Sequence, residues 1–169
     1  MTETVLVAYG STNGSTVEIA ECIGEILTKE GLSVDVRSAS DVADLGRYDA
    51  VVLGGGLYAG RWQRDARRFA RHHGKALAER RVWLFSSGPL DTSASTRDIP
   101  PAPGVRRIAN RIAARGHITF GGRLEGDVKG RMARMIVNSG KGGDFRDFEQ
   151  IAAWAVEVAQ DLSSQSQSD

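Results

Sequence analysis

The stretch TVLVAYGSTNGST, residues 4–16, decides how the rest of the chain is read. Its first six residues are a short apolar run, the pattern of a strand covered on both faces. From Gly10 to Thr16 the residues become small or polar, and beyond them the period changes. Over Ser15–Lys29 the apolar residues Ile19, Ala20, Ile23, Ile26 and Leu27 recur three and four apart. That spacing predicts a helix with Glu18, Glu21 and Glu25 facing water and Gly31 as its stop. Strand, hydroxyl-rich turn and amphipathic helix are the opening unit of a parallel sheet.

The unit repeats outward from there. Residues 32–37 (LSVDVR) alternate like a half-buried strand, and residues 49–53 (DAVVL) form a second buried run that leads into Gly54, Gly55 and Gly56. Helical spacing returns over residues 63–78, with Gly74 weakening the last turn. A strand is expected at 82–86, a Ser, Thr and Pro-rich loop at 87–103, a helix at 105–115, a strand at 117–120 and a final helix at 148–162. Strands alternating with helices require right-handed crossovers. The expected fold is therefore α/β: a three-layer, doubly wound, five-stranded parallel sheet within one domain, residues 1–162. Residues 125–143 break the alternation and read as a short insertion before the last helix. Residues 163–169 (SSQSQSD) read as a disordered polar tail.

Composition excludes several classes. With 41% hydrophobic and 25% charged residues among 169, the chain is neither disordered nor repetitive. Its single cysteine, Cys22, cannot form an internal disulfide, and no ligand set for a metal accompanies it or the histidines 72, 73 and 117, so no metal site is expected. No run reaches the ~20 apolar residues of a membrane span, and no leader pattern precedes residue 4. A cytoplasmic location follows as the expectation. The formal net charge of +1 hides an uneven distribution. Residues 1–50 hold 3 basic and 9 acidic side chains, residues 51–142 hold 18 and 6, and residues 143–169 hold 1 and 6. The densest basic run is RWQRDARRFARHHGK, residues 61–75. A solvated helix face would explain it, and so would a docking surface for an anionic partner. Nucleic acid is not expected, because no aromatic interleaving or motif accompanies the basic residues.

Sheets of this kind bind ligands beyond the carboxyl ends of their strands, which makes residues 10–16 the first candidate site. Amides at a helix N-terminus face an anion, and Ser11, Thr12, Ser15 and Thr16 add hydroxyls around Asn13 and Gly14. The loop lacks the lysine of a G-x-x-x-x-G-K-[ST] nucleotide loop and does not match G-x-G-x-x-G. Neutral donors without a cation suit a single terminal phosphate such as that of FMN, although a plain Ser/Thr helix cap would use the same residues. A phosphoacceptor receiver domain is excluded, since the first strand ends in Ala8, Tyr9 and Gly10 rather than in aspartates.

On this Ser/Thr-rich loop with its central glycine, the sequence resembles the flavodoxin family. A narrower likeness, spanning nearly the whole chain, is to the flavodoxin-domain group that contains menaquinone-dependent protoporphyrinogen dehydrogenase. It rests on GSTNGSTVEIA (10–20), RYDAVVLGGGLYAGRW (47–62), GGRL (121–124) and GGDFRDFEQIAAWA (142–155). The sequence departs from that group at Tyr58 and Ala59, where its members tend to place an arginine and a tyrosine, and in an insertion short of aromatic bulk. The resemblance implies a flavodoxin-like strand order of 2-1-3-4-5 and FMN as cofactor.

The loops after the third and fourth strands would then clasp the flavin ring, the first through Gly56, Leu57, Tyr58, Ala59, Gly60 and Trp62, the second through Ser87, Gly88 and Leu90. The second loop has no aromatic residue, which would leave one ring face open to a substrate. The implied function is an FMN-dependent oxidoreductase passing electrons from a reduced organic substrate to a quinone or other acceptor. Because redox chemistry resides at the flavin N5, no side chain is nominated as catalytic. The alternative is an electron carrier without a substrate of its own, against which the basic middle of the chain weighs. Expected partners are an anionic small-molecule substrate or quinone, a redox protein, and a peripheral membrane contact through RMARMIVN, residues 131–138.

Overall fold

The computed structural model describes residues 3–11, 14–58, 61–88, 99–122 and 146–167, with residues 15 and 165–167 as backbone only. The chain runs β1 (Thr4–Gly10), α1 (Ser15–Lys29), β2 (Ser33–Ser38), a 3-10 turn (Ala39–Asp41), β3 (Ala50–Tyr58), β4 (Arg61–Trp62), α2 (Arg64–His72), α3 (Gly74–Ala78), β5 (Arg81–Ser87), α4 (Pro103–Ile112), β6 (Gly116–Phe120) and α5 (Phe148–Gln167). Five parallel strands lie in the order β2-β1-β3-β5-β6, and the two-residue β4 folds back antiparallel on the end of β3. Counting only the long strands, this is the expected 2-1-3-4-5 order.

The apolar runs find both faces of the sheet covered. On one side Val5, Val7, Val52, Phe85 and Phe120 pack under α1 and α5 with Ile19, Ile23, Trp154 and Val158. On the other, Leu6, Leu53 and Leu84 pack under α2 to α4 with Phe69, Leu77, Val105 and Ile112. The outer strand β2 is the polar one: Asp35 and Arg37 interrupt its apolar residues, consistent with an edge. Gly31 ends α1 at φ +96°, a left-handed turn that a β-carbon would strain. Cys22 packs partly buried beside the α1 and α5 core, and burial raises its thiol pKa.

Four expectations are corrected. The third strand does not stop at Leu53 but continues through the glycines to Tyr58. Gly54 lies opposite Phe85 in the ladder, and a β-carbon there would sit 2.1 Å from the Phe85 ring; one at Gly55 would sit 2.9 Å from the Ala66 Cβ and 3.2 Å from Trp62. These two glycines admit the protein's own rings and helix onto the sheet, so they extend a strand where composition suggested a loop.

The helix expected at 63–78 is broken at His73, whose ring stacks on Phe69 at 4.6 Å. The helix expected at 105–115 begins at Pro103 and ends with Ala113 in the left-handed region. The last helix runs to Gln167, so most of the expected tail is helical backbone. The insertion at 125–143 and most of the loop at 87–103 lie outside the described residues.

Candidate functional site

The sheet changes direction between β1 and β3: from β1 the chain crosses first to β2 on one side and later to β3 on the other. A crevice at the carboxyl ends of the two strands is the result. Gly10 ends β1 there and pairs with Gly55. The turn into α1 is held by the Gly14 N–H, which donates to the Ser11 hydroxyl at 2.9 Å. Gly14, which has no side chain to cap with, occupies the N-cap position at φ 83°. A helix start leaves its first amides without intrahelical acceptors, and here the glycine at the N-cap offers them no side-chain oxygen.

Thr16 is the informative residue. Its side chain is fully buried, 0% exposed, yet its hydroxyl has no hydrogen-bond partner among the described residues. Leaving such a group unsatisfied costs about 1–3 kcal/mol. Gly56, near the end of β3, packs beside it: a β-carbon on Gly56 would lie 3.3 Å from the Thr16 Oγ1, 3.2 Å from the Tyr58 hydroxyl and 3.1 Å from the Tyr58 ring. The two strand ends therefore bring together a hydroxyl with no partner among the described residues, a helix start with glycine at its N-cap, and an aromatic ring, 40% exposed, that lies over the Gly56 backbone. An anion with an attached planar group matches those features. The residues fit FMN: the α1 start and Thr16 would hold a phosphate, and Tyr58 would cover a ring.

Trp62 does not share that surface. Its ring is only 1% exposed, wedged over Gly55, and its Nε1 donates to the Ser86 Oγ at 2.8 Å. It anchors the β3–β4 hairpin, leaving the exposed stacking role to Tyr58. Leu57 packs inward and meets Gly88, where a β-carbon would be 2.7 Å from the Leu57 Cδ1. The Gly88 amide, expected to serve a ligand, donates instead to the Phe120 carbonyl at 3.0 Å. Ser87 is buried within β5. The second loop therefore begins by tying β5 to β6. Thr12, Asn13, Ala59, Gly60 and Leu90 lie outside the described residues, as does the Ser15 side chain.

A hydrogen-bond chain that sequence reading missed lies below this loop. Ser86, which accepts from Trp62, also lies within hydrogen-bond distance of His117 Nε2 at 2.9 Å, the donor being set by the imidazole tautomer. Burial disfavours the charged imidazolium of His117 and lowers its pKa to about 4. Only tertiary packing makes the connection, since Trp62, Ser86 and His117 stand on three separate strands. Among the described residues, no group of three or more His, Cys, Asp or Glu side chains could hold a metal ion, and no helix is long and apolar enough to cross a membrane.

Residues 6–142 match the family model described as a flavodoxin domain. The chain belongs to the flavodoxin-domain family. Flavodoxins bind FMN, and in this flavodoxin-domain chain the strand order and the crevice agree with that family. Solved structures share the fold at low identity. A flavodoxin 2 from Bacillus cereus aligns with TM-score 0.62 and 18% identity, covering 94% of this chain and 99% of that one. An archaeal flavodoxin aligns with TM-score 0.61 and 14% identity, covering 95% and 99%. Rubredoxin oxygen:oxidoreductase from Desulfovibrio gigas aligns with TM-score 0.64 and 12% identity over 95% of this chain, which spans only 36% of that protein's length. No curated protein matches the chain.

Proposed function

We propose that this flavodoxin-domain chain binds FMN in the β1/β3 crevice and works as an oxidoreductase, taking electrons from a reduced organic substrate and passing them to a quinone or other acceptor. The buried hydroxyl of Thr16 in the first turn of α1, without a partner among the described residues, carries the reading: it is a polar group whose folded position makes sense when a phosphate oxygen completes it. Bound FMN would supply hydride-equivalent redox chemistry at its N5. The protein's own contribution is binding and placement. Thr16 and the first turn of α1 hold the anionic end, Gly56 lets a ring approach the backbone, and Tyr58 covers it.

The finer reading, with protoporphyrinogen as donor and menaquinone as acceptor, is supported by the motifs at 10–20, 47–62, 121–124 and 142–155. Two measurements test these levels separately. Titrating the purified protein with FMN should quench flavin fluorescence in a saturable, one-to-one manner; a protein that leaves flavin fluorescence unchanged removes the FMN reading. Given binding, anaerobic mixing with protoporphyrinogen and a menaquinone analogue should make porphyrin fluorescence grow. A flat trace would leave FMN binding intact and remove the finer assignment.

A further inference from the structure

Beside the β3–β4 hairpin, α2 and α4 diverge to form a cleft of about 670 Å³. Five arginines line it: Arg61 from β4, Arg67 and Arg71 from α2, Arg107 and Arg111 from α4. Each helical pair is spaced four apart, which puts both members on one face of its helix. The floor is apolar, made by Trp62, Val105 and Ile108. None of the five pairs with a carboxylate among the described residues, whereas Arg47, Arg81 and Arg146 elsewhere all do. Arg67 is oriented as well, its Nε donating to the Trp62 carbonyl at 2.9 Å, which leaves its terminal nitrogens unused. Like charges held on facing walls without counterions raise a positive potential that a low-dielectric floor concentrates.

We infer that this cleft binds a small organic polyanion, a molecule carrying several carboxylates or phosphates, by arginine forks on both walls. Its size suits a small molecule rather than a flat macromolecular face, since ligand pockets commonly measure about 300–1,000 Å³. Planar guanidinium groups are matched to carboxylate and phosphate oxygens, and facing pairs can grip anionic groups at opposite ends of one molecule. A second hollow, lined by Tyr58, Arg61, Trp62, Gln63, Arg64 and Arg67, shares three residues with the cleft and leads from it toward Tyr58. A polyanion seated on the arginines would reach the ring that is proposed to cover the flavin. That placement, as the anchor for the anionic part of a substrate, rests on the FMN reading; binding in the cleft does not.

The test uses mellitate and inositol hexaphosphate as probes, with calorimetry on the full chain at low ionic strength. One double variant, Arg71→Glu with Arg111→Glu, reverses charge inside the cleft. A control, Arg68→Glu with Arg106→Glu, makes the same charge change on the same two helices at exposed positions outside it. One-to-one binding of a probe is expected, weakened about tenfold or more by the first pair and less than about threefold by the second. The tighter probe tells carboxylate from phosphate recognition. Absence of binding by both probes overturns the inference, as does equal weakening by both double variants. Binding of vesicles rich in anionic lipid, or of polyglutamate, with neither small probe bound, also overturns it. FMN titration of the same proteins separates the two proposals. Cleft variants that keep FMN but lose mellitate support the inference, whereas a wild-type protein that binds mellitate but not FMN removes only the flavin reading.

Discussion

Replacing Thr16 with valine should move stability and cofactor affinity in opposite directions. The substitution exchanges a buried hydroxyl for a methyl of nearly the same shape. Because no partner among the described residues accepts from or donates to that hydroxyl, none of them is left unpaired when it goes. An ordinary Thr→Val change in a core breaks a hydrogen bond and destabilises; here it removes a desolvation penalty of about 1–3 kcal/mol. Helix propensities of the two residues are close, so little is lost in the first turn of α1. The flavin-free protein should therefore gain about 1 kcal/mol or more.

With FMN, the missing group would have donated to a charged phosphate oxygen, a bond worth about 1.5–3 kcal/mol, so affinity should fall by about 10- to 100-fold. Urea unfolding without flavin reads the first effect as a raised midpoint at unchanged slope. Fluorescence titration reads the second. A Thr16→Val protein that binds FMN as tightly as the wild type would refute the assignment of the phosphate end. A lowered urea midpoint would show that the hydroxyl has a partner in the free protein.

Further outcomes follow from the same geometry. Gly54→Ala should destabilise by about 1–3 kcal/mol or more, because its β-carbon would fall 2.1 Å from a Phe85 ring confined by Phe120 and Trp154; an unchanged urea midpoint would contradict that packing. Tyr58→Ala should weaken FMN while leaving the urea midpoint within about 0.5 kcal/mol of wild type, since the ring is exposed and belongs to neither core.

His117 should make an acid limb. Above pH 6.5 it is neutral in both states and contributes no pH dependence. Between 6.5 and about 4 the unfolded chain takes up the proton first, so stability falls across that window and levels below it. After allowance for partial exposure, the loss is about 1–3 kcal/mol. His117→Gln should flatten this limb relative to wild type in urea midpoints taken from pH 7 to 4. Identical slopes would contradict it; His73, also depressed by burial, contributes equally to both proteins.

The alternation of runs and periods was enough to place all five parallel strands, the family resemblance supplied their order, and the loop at 10–16 stood out as the candidate for the anion end of the proposed site. Local patterns carry such information because strands buried on both faces and helices with one apolar stripe are recognisable one element at a time. What could not be read locally is how a residue is used once another element lies against it. Gly54 and Gly55 read as loop residues until Phe85 and Ala66 are placed over them. Trp62 read as a stacking ring until Ser86, from another strand, accepts its N–H.

The arginines illustrate the same division most plainly. Their abundance between residues 51 and 142, and the four-residue spacing of Arg67 with Arg71 and Arg107 with Arg111, are properties of the sequence. That the two pairs face one another is not. It depends on two crossovers setting α2 and α4 on the same side of the sheet, about forty residues apart in the chain. Sequence by itself determined which elements form and which turn is the candidate for an anion, because hydrophobic period and turn chemistry act over short range. Only the tertiary structure decided that Thr16 is buried with no partner among the described residues, that Tyr58 rather than Trp62 is left exposed, and that arginines without a carboxylate partner among the described residues are gathered into a cleft, because burial and electrostatic potential depend on every neighbour in space.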